Sequence, residues 1–136
     1  QYPFFQSLLN SFLDNAVLEK VKSVFGVDAS SLSLRVEYIN DFNGFFLDPH
    51  VDIPEKRFTL FLYLNKAPEH LGTDLYDKNK QRVKTIRFAP NRGYVFLPGD
   101  DTWHGLEPKE IPDRRCSLLI NYVTFDTGWP VSSGKI

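Results

Sequence analysis

The sequence predicts a mainly β protein with an N-terminal helix, its strands arranged as an antiparallel sandwich or barrel. Three observations carry this. Apolar residues recur at helical spacing only near the N-terminus. The pattern changes to strict alternation after Gly26. About eight short alternating runs then follow, separated by turn signals and with no helix between them. Strand after strand without crossover helices means antiparallel pairing, and about eight such strands suit a jelly roll.

The helix lies in "FLDNAVLEKVKSVFG", where Leu13, Val17, Leu18, Val21, Val24 and Phe25 share one helical face. Asp14 suits the N-cap and Gly26 the C-terminal stop. The preceding "YPFFQSLLN" fits a short helix or an entering strand equally well. "SLSLRVEYI" is the first strand, alternating through Leu32, Leu34, Val36 and Tyr38, and "NDFNG" reads as the turn after it. "RFTLFLYLN" sets Phe58, Leu60, Leu62 and Leu64 on one face and Arg57, Thr59, Phe61, Tyr63 and Asn65 on the other. "RVKTIRF", "GYVFLP" and "RCSLLINYV" are further strands, with weaker ones expected near 45–50, 73–77 and 103–107. The turns between them are "IPEK", "KAPEHLG", "APNRG", "LPGDD" and "PKEIPD". One domain is expected over 1–136, with a helical segment at 1–31 and the β core at 32–125.

Composition narrows the function. The 136 residues are 42% hydrophobic and 24% charged with a net charge of −1, which argues against a nucleic-acid partner. No apolar run approaches a membrane span. A single cysteine, Cys116, sits in an apolar strand pattern and is expected to be a buried small hydrophobe; with no disulfide to protect, a reducing, cytoplasmic setting is expected. The chain opens at Gln1 and holds no Met, so the translation start, and any leader with it, is expected upstream. Oligomeric state has no signature here.

The candidate site begins with His50 and Asp52. Residues i and i+2 of an extended chain point to one face, so both side chains reach one point. His104, in "FLPGDDTWHGLEP", lies much further along, in a turn that a barrel can bring to the same mouth. Two imidazoles and a carboxylate with open positions form the ligand set of non-haem Fe(II) oxygenases. Alone, a His and an Asp two apart is a weak signal. Conjunction strengthens it: Arg115 opens the last strand, sharing a face with Ser117, Leu119 and Asn121, where its fork suits a carboxylate. Arg114 next door competes for that role. Tyr63 and Tyr38 offer phenolic donors, with aromatic core as the plainer account of each. Thr59, Phe61 and Leu119 are expected as pocket walls. His70 reads as a solvated loop residue, and Asp100 and Asp101 as a turn or as support for His104.

Taken together, "HVD", "LYLNK", "GTDLYD", "GYVFLPGDDTWHGLEP" and "RRCSLLINYV" resemble, in order, the 2-oxoglutarate- and Fe(II)-dependent dioxygenases of the prolyl-hydroxylase-like branch, over residues 32–125. The resemblance implies a double-stranded β-helix, a cupin-like jelly-roll barrel with the metal at its open end. It implies Fe(II) on His50, Asp52 and His104, and 2-oxoglutarate held by Arg115, Tyr63 and Tyr38. With O₂, and ascorbate in support, such a protein hydroxylates an amino-acid side chain, proline among the candidates, in a peptide or protein, releasing succinate and CO₂. A free small metabolite is the competing substrate. A metal-binding jelly roll without catalysis, or a cupin-like enzyme without 2-oxoglutarate, stands as the competing class. Where the branch often has two glycines, this chain has Gly72-Thr73.

Overall fold

The computed structural model describes residues 3–128. Two helices, α1 (Pro3–Leu13) and α2 (Asn15–Phe25), precede eight strands: β1 (Ser33–Phe42), β2 (Leu47–His50), β3 (Lys56–Tyr63), β4 (Thr73–Tyr76), β5 (Arg82–Ile86), β6 (Gly93–Phe96), β7 (His104–Leu106) and β8 (Arg114–Val123). All three weakly marked strands are present. Of "YPFFQSLLN", the described residues from Pro3 onward are helical, and Leu13 closes that helix instead of opening the next. The break between them is chemical: the Asp14 carboxylate accepts from the backbone N–H of Ala16 and caps α2, which ends at Gly26 in the left-handed conformation. Val24 is 57% exposed and stands outside the apolar face expected of it.

The strands form two antiparallel four-stranded sheets, ordered β1-β8-β3-β6 and β2-β7-β4-β5. This is the jelly-roll arrangement the sequence predicts. The first sheet is held by the long β1–β8 ladder, from Ser33 opposite Val123 to Phe42 opposite Arg114. Its two faces differ in kind. Leu34, Val36, Phe58, Leu118, Ile120 and Tyr122 project to one side and form the main core with Leu9, Leu13 and Val21 of the helices. Phe25 meets Phe58 edge-on at 5.4 Å, and the Tyr122 hydroxyl donates to the Phe12 carbonyl at 2.6 Å. The other face turns toward the second sheet.

Strand alternation corrects one expectation at once. Tyr38 shares its face with Leu34 and Val36, away from the sandwich interior, and lies past the helices' cover. It is 54% exposed, its hydroxyl 3.4 Å from Asn40 Oδ1, so it takes no part in a pocket. A second correction concerns "NDFNG". β1 continues through Phe42, so Asn40 and Asp41 are strand residues, and Asp41 faces inward. Cys116 is buried as expected, with Sγ 2.8 Å from Asn40 Oδ1. Among the described residues no helix is long and apolar enough to cross a membrane.

Candidate metal and co-substrate site

β2 and β7 pair so that His50 stands directly opposite His104. The closeness of these strands depends on Gly105, where a Cβ would fall 2.4 Å from the Leu47 carbonyl oxygen. The two imidazoles lie 4.4 Å apart centre to centre, and Phe96 packs on His104 at 5.0 Å. Asp52, two residues past the end of β2, reaches back between them. Its Oδ1 is 3.7 Å from His50 Nε2 and its Oδ2 is 3.7 Å from His104 Nε2.

The tautomers follow from the backbone. His50 Nδ1 lies 2.9 Å from the Asp48 carbonyl oxygen and His104 Nδ1 lies 2.8 Å from that of Thr102. A carbonyl only accepts, so each Nδ1 carries a proton, and the neutral ring of either residue presents its lone pair at Nε2. Burial, the largest influence, holds the His104 pKa below that of an ordinary histidine, which favours the neutral ring. Two lone pairs and a carboxylate therefore converge, with one donor atom from each residue within 4.8 Å of the others. Three acceptors facing one another are stabilised by a cation at their centre. Lys56 Nζ, 3.5 Å from Asp52 Oδ1, supplies positive charge from one side only.

A cavity of about 180 Å³ opens beside these groups between the sheets. It is smaller than the ~300–1,000 Å³ of pockets that take drug-sized ligands, and suits a small metabolite. Thr59, Phe61 and Leu119 line it as expected, and so does Arg115. Arg115 is 4% exposed; its Nε donates to the Leu71 carbonyl and its Nη1 to Asp41 Oδ2, each at 2.6 Å. Arg114 is exposed on the opposite face and drops out.

The family model for the 2OG-Fe(II) oxygenase superfamily matches residues 36–123, which include every one of these groups. The chain belongs to that superfamily. Solved structures agree in fold. A 2OG-Fe(II) oxygenase family oxidoreductase from Burkholderia pseudomallei superposes with a TM-score of 0.66 at 18% identity, over 92% of this chain and 58% of that one. A Pseudomonas putida prolyl-4-hydroxylase gives 0.63 at 17%, over 82% and 62%. A prolyl 4-hydroxylase from Phytophthora capsici gives 0.64 at 21%, over 94% and 45%. The chain thus spans between about half and three-fifths of the length of these structures. No curated protein shows significant sequence similarity to it.

The residues of this superfamily member fit the groups its family name implies. Two neutral imidazoles and one carboxylate match a divalent iron with positions left open. A small cavity with a guanidinium on its wall matches an oxo-dicarboxylate.

One expected co-substrate residue moves to the wall behind the site. Tyr63 is fully buried, stacked on Phe88 at 4.3 Å. Its oxygen accepts from the Thr73 N–H at 2.8 Å, lies 2.9 Å from Thr73 Oγ1 and donates its one proton to the Ile86 carbonyl at 3.1 Å, so the phenol is fully engaged by the wall. The tyrosine that reaches the cavity is Tyr94, on the neighbouring strand directly opposite Phe61. Its hydroxyl bonds Thr73 Oγ1 at 2.6 Å, and burial, followed by the nearby Tyr63, raises its pKa far above the usual range, so it stays a neutral phenol. Thr73, in place of a second glycine, links the two phenols. Strand alternation does not separate Tyr63 from Tyr94; the packing of Tyr63 on Phe88 and its bond to Thr73 do. His70 is exposed and apart from the site, and the Thr102 carbonyl, not Asp100 or Asp101, orients His104.

Proposed function

We propose that the chain is a single 2-oxoglutarate- and Fe(II)-dependent dioxygenase domain, with α1 and α2 preceding a catalytic jelly-roll core over 32–125, that hydroxylates an amino-acid side chain in a peptide or protein. The observation that carries this reading is the convergence of two Nε2 lone pairs and the Asp52 carboxylate beside a cavity lined by Arg115. His50, Asp52 and His104 hold the iron. Arg115 binds the distal carboxylate of 2-oxoglutarate, with Tyr94 and Thr73 as hydroxyl partners. When bound, the metal supplies the dioxygen chemistry by which 2-oxoglutarate becomes succinate and CO₂ while the substrate gains a hydroxyl, with ascorbate as supporting reductant.

The chain's own residues supply orientation and dryness. The carbonyls of Asp48 and Thr102 keep both histidines in the ligating tautomer, and Lys56 steadies Asp52. Phe61, Phe96 and Leu119 exclude water from the cavity. A polypeptide substrate is supported by the exposed apolar group Phe42, Phe45, Phe46 and Leu47, of which Phe45 and Leu47 also line the cavity. Prolyl-4-hydroxylases among the structural relatives support the same substrate class.

Anaerobic Fe(II) followed by 2-oxoglutarate is expected to give a visible metal-to-ligand charge-transfer band. His50→Ala should abolish the band, and Arg115→Gln should raise the 2-oxoglutarate needed for it at least about tenfold, since a charged hydrogen bond contributes about 1.5–3 kcal/mol. Folded, iron-loaded protein without the band would remove 2-oxoglutarate from the account.

A further inference from the structure

Arg115 does not wait in the cavity as a free cation. Asp41, 5% exposed and opposite Arg115 in the β1–β8 ladder, places a carboxylate oxygen 2.6 Å from Nη1. Both residues line the cavity. Nε is committed to the Leu71 carbonyl, which leaves Nη2 without a protein partner among the described residues. The wall that receives the distal end of a dicarboxylate thus carries a cancelled charge, one anion and one cation.

We infer that Asp41 is an internal competitor for Arg115 that sets how strongly the cavity discriminates in favour of a distal carboxylate; this rests on the 2-oxoglutarate reading above. A guanidinium already paired with one carboxylate attracts a second less, and the two anions repel one another across a site shielded from water. The hydrogen bond from Nη2 remains available, so 2-oxoglutarate still binds, but its second charge adds little. A 2-oxo acid of equal length with a methyl end loses correspondingly little. Asp41 is a specificity-determining residue, placed to make the co-substrate site tolerant.

The test is titration calorimetry on Mn(II)-loaded protein, which does not turn over, with 2-oxoglutarate and with 2-oxopentanoate. In the wild type the ratio of the two dissociation constants is expected below about 100, whereas sites built strictly around a polar group reject its analogue by about 10⁴–10⁵. Asp41→Asn keeps an oxygen for Nη1 and removes the charge. It is expected to tighten 2-oxoglutarate about tenfold, the equivalent of roughly 1.4 kcal/mol, and to leave 2-oxopentanoate within about twofold. A wild-type ratio above about 100 overturns the inference whether or not the variant folds. So does an Asp41→Asn protein that binds 2-oxoglutarate more weakly, or that shifts both ligands equally, because Asp41 would then be supporting Arg115. Wild-type protein that binds Mn(II) but neither oxo acid overturns the co-substrate reading itself, and this inference with it.

Discussion

β8 carries two different proteins on its two faces. Leu118, Ile120 and Tyr122 are buried against the helices in a continuous apolar core. One residue out of phase, Arg115, Ser117 and Asn121 are equally buried yet polar, and Ser117 Oγ and Asn121 Nδ2 have no partner among the described residues. β3 repeats the division, with Phe58 toward the helices and Thr59, bonded to Asn121 Oδ1 at 2.6 Å, toward the interior. A sandwich normally buries its apolar residues between its sheets. Here the main apolar cluster lies outside the sandwich, under α1 and α2, and part of the inner face, beside the buried Tyr63 and Phe88, is left for a site. Stability and chemistry are set on opposite sides of the same strands.

That division predicts which substitutions affect which property. The largest effect should cross the divide. Arg115→Ala leaves Asp41 as an uncompensated buried anion, and breaking a buried pair in this way costs about 3–5 kcal/mol. The double change Arg115→Ala with Asp41→Asn should recover most of it in denaturant unfolding; no recovery would mean that Arg115 stabilises through packing on Phe88. Ile120→Ala, on the helix side, should cost about 2–5 kcal/mol while the folded protein binds Mn(II) with unchanged affinity. A weakened metal site would show that the two faces are coupled.

The smallest effect belongs to the second sheet. Asp74 is fully buried in β4 and binds Thr85 Oγ1, the Glu107 N–H and Lys109 Nζ. Burial alone would raise its pKa, but these hydrogen bonds, followed by the Lys109 charge, outweigh it and hold the carboxyl below its usual value. A lowered folded pKa stabilises at pH above the unfolded value of about 3.9, and that stabilisation is lost as pH falls through the folded pKa. Unfolding free energy should therefore fall with acid below about pH 4. In Asp74→Asn the slope should be shallower, by at most one proton, and an unchanged slope would assign the acid sensitivity elsewhere.

Much of this was legible because it depends on local periods. The eight strands followed from alternation, the helix cap from Asp14 and the site from the spacing of His50 and Asp52 with His104 and Arg115 beyond. What the sequence hid depends on which strands become neighbours. Tyr63 and Tyr94 both belong to inward faces, and only the packing of Phe88 and Thr73 decides which one meets the cavity. Asp41 was concealed by its surroundings, since Asn-Asp-Phe-Asn-Gly has turn composition although β1 runs through it. Tyr38 alternates with Leu34 and Val36, and only the helices packed on those two show that their shared face is the outer one.

Gly105 has a consequence for anyone wishing to diversify this site. Randomising positions around a metal centre assumes that each tolerates a range of side chains. At 105 any side chain meets the Leu47 carbonyl, so β2 must retreat from β7 and carry His50 away from His104. A saturation library would show a hard gap there, beside positions open to change, and the width of the ligand set would be inherited from a backbone contact that no side-chain redesign can reach.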